Sequence, residues 1–276
     1  MKYLFSVPRI FPWDFIFIPS MKIVLLLIAI VIPSLGFTQL PVVASKMYSW
    51  KKPTAKSDKN VLTSVLFEGS VYDMEYLQMS ANAILPSKQE VSLQIPNNEE
   101  HLLLIKTGIL TIGFKDSTWS IGRGSVALLL PGEKYSLQNS GADSCTFYRM
   151  KYRSKLPMDL PRGQASGGSF VKDWSKITFK PHDKGGIRNY FDKATAMSKR
   201  FEMHVTTLKE GLKSHEPHTH RAEEIVMIIE NKTEMQIDDK FYKGGTGDIY
   251  YLGSNVSHAI RNDGRGTCTY FAFQFE

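Results

Sequence analysis

The chain has 276 residues, of which 42% are hydrophobic and 22% are charged. A chain of this length forms one large or two small domains, and this composition excludes a wholly disordered protein. The net charge is +7, with 34 Lys and Arg against 27 Asp and Glu. Because the basic residues are scattered, apart from a cluster at residues 46–59, and no nucleic-acid motif is present, we expect a solvated basic surface and no nucleic-acid partner.

The first predicted element is an apolar run at residues 23–32, which follows a basic residue and precedes small and turn residues. This layout, with a small-x-small site ending at Thr38, is typical of a secretory signal peptide. A membrane span needs about 20 apolar residues, and this run is shorter. We therefore expect no stable span after cleavage. We predict a signal peptide over residues 1–38, with Met21 as the expected true start because the residues before it are aromatic-rich. The mature protein is then periplasmic or otherwise exported.

The remainder of the chain is predicted to be all-β. Residues 39–60 are polar and charged without an apolar period, and they predict a leader segment. From Val61 onward, short apolar runs alternate with turn residues, as in β-strands. Residues 154–168 are rich in Pro, Gly and Ser and predict a linker between two halves, 61–153 and 169–276.

The two halves are related by a shift of 123 residues, which is the interval from His101 to Glu224. In this one register, matching residue types fall where strands turn or pack: Gly122 and Gly245, Gly124 and Gly247, Asn139 and Asn262, Gly141 and Gly264, Cys145 and Cys268. Chance apolar alternation would not align Gly, Asn and Cys together. The sequence therefore predicts an internal duplication.

The candidate chemical site lies in the second half. His218 and His220 form an H-x-H pair, Glu224 follows after three residues, and His258 comes later in the chain. In an extended chain, side chains at even spacing share one face, so the first three would converge and a neighbouring strand would supply the fourth. His215 has odd spacing and is expected to face away. Three imidazoles and one carboxylate predict a site for a divalent transition metal such as Mn, Fe, Zn, Ni or Cu.

These residues resemble the two motifs of the cupin superfamily, whose members are small jelly-roll barrels. The positions that fit are Gly211, His218, His220 and Glu224 in the first motif, and Gly247, His258 and Asn262 in the second. Asn231, Gly253 and Asn255 depart from the usual turn residues, whereas the four ligand positions are intact. The resemblance implies two tandem jelly-roll (cupin) β-barrels, an N-terminal one at 61–153 and a C-terminal one at 169–276.

The first half lacks the ligand set. Its equivalent positions are Ile95, Asn97, His101 and Tyr135. A single imidazole with Ile, Asn and Tyr at the other ligand positions does not hold a catalytic metal. His101 is therefore expected to be a hydrogen-bonded core or pocket residue. The first barrel is then a structural or ligand-binding half, and any chemistry belongs to the second.

The resemblance implies a metal-dependent bicupin, expected to be an enzyme of hydrolase, isomerase or lyase type that acts on a small polar molecule. The resemblance allows a ureidoglycine aminohydrolase-like enzyme, whose family has a different ligand set, or a uronate-processing-like enzyme, whose family has a closer His-rich set, with the metal as a Lewis acid. Oxalate decarboxylases usually keep metal in both halves, which counts against that assignment. The alternatives are a quercetinase-like dioxygenase and a cupin that binds a small molecule without catalysis. The Phe and Tyr residues of the last predicted strand slightly favour an aromatic ligand.

Candidate catalytic side chains are Tyr270, Gln274 and Glu223. Tyr270 and Gln274 lie an even number of residues apart, so in a strand they share one face and could line the barrel mouth. The phenylalanines of the same strand lie on the other face and could line it instead. Cys145 and Cys268 occupy matching positions, which leaves a disulfide and two buried thiols as alternatives. The resemblance also implies a homodimer.

Overall fold

The computed structural model describes residues 40–56, 61–87 and 89–276, and the predicted signal peptide lies outside them. The regular secondary structure of the described chain is almost entirely β-strand, with one α-helix, α1 (Leu160–Ala165), and one 3-10 turn at Trp174–Lys176. The all-β prediction is confirmed. No helix within these described ranges is long and apolar enough to cross a membrane.

The strands fall into two series along the chain. The first series is β1 (Lys46–Tyr48), β2 (Ala55–Lys56), β3 (Val61–Gly69), β4 (Met74–Ile84), β5 (Val91–Gln94), β6 (Glu100–Thr107), β7 (Leu110–Phe114), β8 (Ser117–Ile121), β9 (Val126–Leu129), β10 (Lys134–Gln138) and β11 (Cys145–Ser154). The second series is β12 (Phe170–Lys172), β13 (Lys180–His182), β14 (Gly185–Lys193), β15 (Phe201–Leu208), β16 (Glu223–Glu230), β17 (Thr233–Ile237), β18 (Lys240–Gly244), β19 (Ile249–Leu252), β20 (His258–Asn262) and β21 (Cys268–Phe275).

These strands form two large and two small antiparallel sheets. The large sheets have seven strands each, in the orders β12-β9-β6-β11-β4-β3-β2 and β1-β19-β16-β21-β15-β14-β13. The small sheets are β5-β10-β7-β8 and β18-β17-β20. Each half thus has one large and one small sheet around its own apolar core, the two-sheet arrangement of a jelly roll.

Strand bounds repeat along the chain at the predicted interval. β6, β7, β8 and β9 each have a counterpart with the same bounds 123 residues later, in β16, β17, β18 and β19. The pairing repeats as well, because His101 lies opposite Leu129 in the first half and Glu224 opposite Leu252 in the second. The shared glycines and asparagines therefore fall at equivalent turns.

Two edge strands cross between the halves. β1, in the predicted leader, pairs with β19 of the second half, whereas β12, just past the predicted linker, pairs with β9 of the first half. The sheets therefore do not follow the predicted boundaries at residues 60 and 168. Each exchanged strand covers an edge that would otherwise present unpaired N–H and C=O groups.

A third apolar core lies between the two large sheets. It joins side chains of both halves, including Leu102, Met150, Tyr152, Phe201, Phe271, Phe273 and Phe275. Tyr270 and Ala272 point the other way, into the core of the second half. The phenylalanines of β21 therefore do not line the second barrel, because strand alternation assigns them to the core between the halves.

Cys145 and Cys268 are buried free thiols. They belong to separate cores, one in each half. Burial raises the pKa of the Cys268 thiol to about 11, so the thiol is protonated at neutral pH.

Candidate metal centre

The four predicted ligands lie together at one end of the second half. Glu224 is on β16 and His258 begins β20, whereas His218 and His220 lie in the loop that joins β15 to β16. Two backbone hydrogen bonds tie this loop to β20, from His218 N to His258 O at 3.2 Å and from His258 N to His218 O at 3.0 Å. The three histidines offer ring nitrogens that all lie within 4.8 Å of one another.

Backbone carbonyls fix how two of the imidazoles point. Nδ1 of His220 lies 2.8 Å from the carbonyl oxygen of Ala222, and Nδ1 of His258 lies 2.9 Å from that of Val256. A carbonyl can only accept, so each Nδ1 carries the hydrogen and each Nε2 of the neutral ring keeps its lone pair. Both Nε2 atoms then face one carboxylate oxygen, Glu224 Oε2, at 3.0 Å and 3.3 Å.

This geometry brings three electron-rich atoms together without a positive charge between them. Nε2 of His258 is buried and makes no hydrogen bond of acceptable geometry. Two lone pairs and a carboxylate repel one another unless a proton or a metal ion lies between them. The nitrogen and oxygen donors, oriented by carbonyls behind the rings, fit a divalent first-row transition metal.

The electrostatics favour the ligand forms of Glu224 and His218. Burial raises the pKa of Glu224, but the adjacent imidazoles of His220 and His258 outweigh burial and hold its pKa well below the ordinary value. Burial and the neighbouring imidazoles lower the pKa of His218. The adjacent Glu224 carboxylate raises the pKa of His220. Glu224 is therefore a carboxylate and His218 a neutral imidazole at neutral pH.

His215 also lies at this site. Its ring centroid is 4.1 Å from that of His218 and 6.2 Å from that of His258. The expectation that it faces away is wrong, because residues 209–222 form a bent loop in which strand parity does not apply. Pro217 and the polar residues before it are the sequence signal that could have indicated the loop.

The structure places the three candidate catalytic residues differently. The Gln274 amide lies 3.3 Å from Glu224 Oε2, so it belongs to the site. Tyr270 is buried inside the second half, and burial raises its pKa far enough to keep the phenol protonated. Glu223 lies on the opposite face of β16, where it accepts hydrogen bonds from the backbone N–H of Tyr72 and Asp73. Glu223 is therefore outside the histidine cluster.

Comparison with known proteins agrees with this architecture. Residues 204–273 match the family model of the cupin domain. Similar solved structures include a putative glyoxylate-induced protein from Pseudomonas aeruginosa, with 14% identity, coverage of 88% of this chain and 93% of that chain, and a TM-score of 0.65. AerE from Microcystis aeruginosa has 16% identity, 83% and 99% coverage, and a TM-score of 0.61. Oxalate decarboxylase from Lactobacillus farciminis, in complex with formate, has 10% identity, 86% and 87% coverage, and a TM-score of 0.62.

No curated protein sequence matches this chain. At the identities above, the likeness to solved structures establishes the fold alone. The family match covers the loop and strands that carry all four predicted ligands. Residues 204–273 therefore match the cupin domain family, within a chain whose described part has the all-β cupin fold.

Proposed function

We propose that this protein is a cupin enzyme that binds one divalent transition metal through His218, His220, Glu224 and His258. The observation that carries the proposal is the convergence of two imidazole lone pairs on the Glu224 carboxylate. Four protein ligands leave one or two positions open on a five- or six-coordinate metal. His218 is solvent-exposed, so the open side faces water and an incoming molecule.

In this proposal the chain is a bicupin with a duplicated barrel and a single metal centre. The repeated strand bounds and pairing support the duplication. The first half has Ile95, Asn97, His101 and Tyr135 at the ligand positions, which supports placing the chemistry in the second half alone. The signal-peptide pattern supports export, most simply to a periplasm.

The expected chemistry is Lewis-acid activation of a carbonyl, carboxylate or hydroxyl oxygen by the bound metal. Side chains near the ligands orient the site and supply proton-transfer groups. The Gln274 amide donates to Glu224 and holds the carboxylate in place. His215 donates its Nδ1 hydrogen to the carbonyl of Glu216 at 3.0 Å, so its Nε2 lone pair remains available to take a proton from a bound molecule. Tyr270 stays protonated, so its phenol does not serve as a base at neutral pH.

The substrate class is a small polar molecule, converted by a hydrolase, isomerase or lyase reaction. In the sequence, only the Phe and Tyr residues of β21 favour an aromatic substrate. The phenylalanines at 271, 273 and 275 pack in the core between the halves, so they contribute nothing to the site. The groups that do surround the cluster are imidazoles, an amide and a carboxylate, which suit a polar ligand.

Elemental analysis of the mature protein, starting at Gln39, tests the centre. We expect about one transition-metal ion per chain and almost none in the double variant H218A/H220A. The matched control is His182→Ala, which removes an exposed histidine on β13 and should keep the metal. Manganese, nickel or zinc would direct assays to hydrolysis and isomerisation, whereas iron or copper would direct them to dioxygenase chemistry. Full metal content in the double variant would refute the site.

A further inference from the structure

The first half has a polar cluster where the second half has its metal ligands. His101 stands at the position equivalent to Glu224 and is 4% exposed. Arg149, on the neighbouring strand β11, is 8% exposed. A guanidinium and an imidazole buried this deeply are uncommon and need partners inside the protein.

Strand alternation shows that Arg149 points into the first half's own interior. On β11, Tyr148, Met150 and Tyr152 belong to the core between the halves, whereas Cys145 and Phe147 belong to the core of the first half. Arg149 and Lys151 share the parity of the latter pair. The interior of the first barrel therefore receives two cationic side chains at this end.

The pairing register places polar groups beside Arg149 on one side and two positions along the strand. Arg149 lies between Ser80 of β4 and Leu103 of β6, and Lys151 lies opposite His101 of β6. The buried phenol of Tyr135, which stands where the second half has His258, makes a hydrogen bond with the Arg149 side chain. A barrel packed only for stability would place apolar side chains here, as the second half does with Ala272 in place of Arg149.

Two buried atoms of this cluster have no hydrogen-bond partner. They are Nε of Arg149 and Nδ1 of His101. The other ring nitrogen of His101, Nε2, lies 3.4 Å from Glu99 Oε2 and donates to it. Burial lowers the pKa of His101 to about 4, so the ring is neutral and Nδ1 is an acceptor. The cluster thus presents one unused donor and one unused acceptor.

The acidic side chains near these atoms are engaged by other groups. Glu99 accepts from His101, Glu75 pairs with Arg153 at 2.9 Å, and no carboxylate of the described residues forms a salt bridge with Arg149. Arg153 already contacts Glu99, with its Nη1 3.5 Å from Oε1. A buried guanidinium without a carboxylate costs free energy, and an anionic ligand removes that cost.

We propose that the first barrel binds a small hydroxycarboxylate, with the carboxylate on Arg149 and the hydroxyl on Nδ1 of His101. The carboxylate accepts from the unused guanidinium donor, and the hydroxyl donates to the unused imidazole acceptor. This site is separate from the metal centre, since it uses no residue of the second half. The chain then carries two sites for polar molecules, one built on a metal and one built on an arginine.

Titration of the mature protein with glycolate, followed by calorimetry, tests the proposal. We expect one Arg149-dependent site both in the wild type and in H218A/H220A, and affinity for that site at least about tenfold lower in Arg149→Met. Acetate, which lacks the hydroxyl, should bind more weakly than glycolate. Glycolate binding that is lost in H218A/H220A but retained in Arg149→Met would overturn the proposal, because the ligand would then be on the metal. No binding by the wild type at about 10 mM glycolate would also overturn it.

Thermal unfolding separates a binding role of Arg149 from a purely structural one. Without glycolate, Arg149→Met should unfold at the wild-type temperature or above, because the substitution removes an unpaired buried charge. Glycolate should raise the unfolding temperature of the wild type and leave that of the variant unchanged. If Arg149→Met does not fold, Arg149→Lys decides the question, since lysine keeps the charge and loses the forked donor. Wild-type glycolate affinity in Arg149→Lys would contradict guanidinium recognition.

Discussion

Backbone carbonyls behind the imidazoles, rather than the imidazoles alone, make the candidate metal centre specific. The oxygens of Ala222 and Val256 hold the hydrogens of His220 and His258 on Nδ1, so both Nε2 lone pairs are set before any metal arrives. Glu224 completes the set from β16 and is itself held by Gln274. Such preorganisation lowers the cost of assembling the ligands around an ion.

Replacing Glu224 by Gln tests this arrangement, since the change keeps the shape of the side chain and removes its charge. We expect metal affinity to fall by about 10- to 100-fold, because the carboxylate both ligates and orients the two imidazoles. Competition with a chromogenic chelator measures the change. Glu234→Gln is the matched control, because Glu234 pairs with Arg261 away from the cluster and should not alter affinity. Equal affinities for the two variants would remove Glu224 from the ligand set.

At the scale of elements, two buried glutamates connect the halves reciprocally. Glu223, the first residue of β16, accepts from the backbone of residues 72–73 and from the Tyr251 hydroxyl. Glu100, the first residue of β6, accepts from the backbone N–H of Ala196 and Met197. Each glutamate thus fixes a turn that belongs to the opposite half. The placement of Glu223 is therefore fully accounted for by the fold.

Substituting either glutamate by Gln should destabilise the protein by about 1–3 kcal/mol. The new amide NH₂ has no acceptor among the backbone donors that the carboxylate serves, and the remaining oxygen satisfies fewer of them. Urea unfolding followed by fluorescence measures the free energy of unfolding. Glu75→Gln, at an exposed pair with Arg153, should leave it unchanged. No loss in both buried variants would show that the turns are held by other contacts.

The free energy of unfolding that these substitutions remove should depend on pH. Burial raises the pKa of Glu100 and of Glu223 above the ordinary value, although their hydrogen bonds oppose this. The folded state therefore holds these protons more tightly than the unfolded state. The stability that comes from this difference in proton binding is fully present below the pKa of Glu in the unfolded chain, about 4.3. It is lost as pH rises through the pKa of the folded state. We expect the double variant E100Q/E223Q to lose more stability at pH 5 than at pH 8, measured by urea unfolding; the reverse order would contradict the raised pKa values.

At the scale of the whole molecule, the sequence predicts the positions of strands and turns within each half better than the contacts between halves. The matched Gly and Asn positions indicate where strands turn, because a turn depends on local backbone conformation. The H-x-H pair with Glu224 and His258 indicates the ligands, because their residue types and spacing are also local. Which edge β1 or β12 pairs with depends on hydrogen bonds to distant residues, and the sequence carries no signal for it. Alternation likewise shows that Phe271 and Phe273 share a face, but not which core that face meets.

The shared core between the large sheets makes one further prediction about the protein as a whole. Because Tyr152 of one half packs against Phe201 of the other, and β1 and β12 are exchanged, neither half alone buries the outer face of its large sheet or completes its sheet edges. Scanning calorimetry of the metal-free mature protein should therefore show a single cooperative transition. Phe273→Ala, in the shared core, and Ile112→Ala, in the core of the first half, should each shift that one transition downward, with losses of about 3–5 kcal/mol and 2–5 kcal/mol respectively. Two transitions, with Ile112→Ala moving only one of them, would mean that the halves unfold independently and that the exchanged strands contribute little to stability.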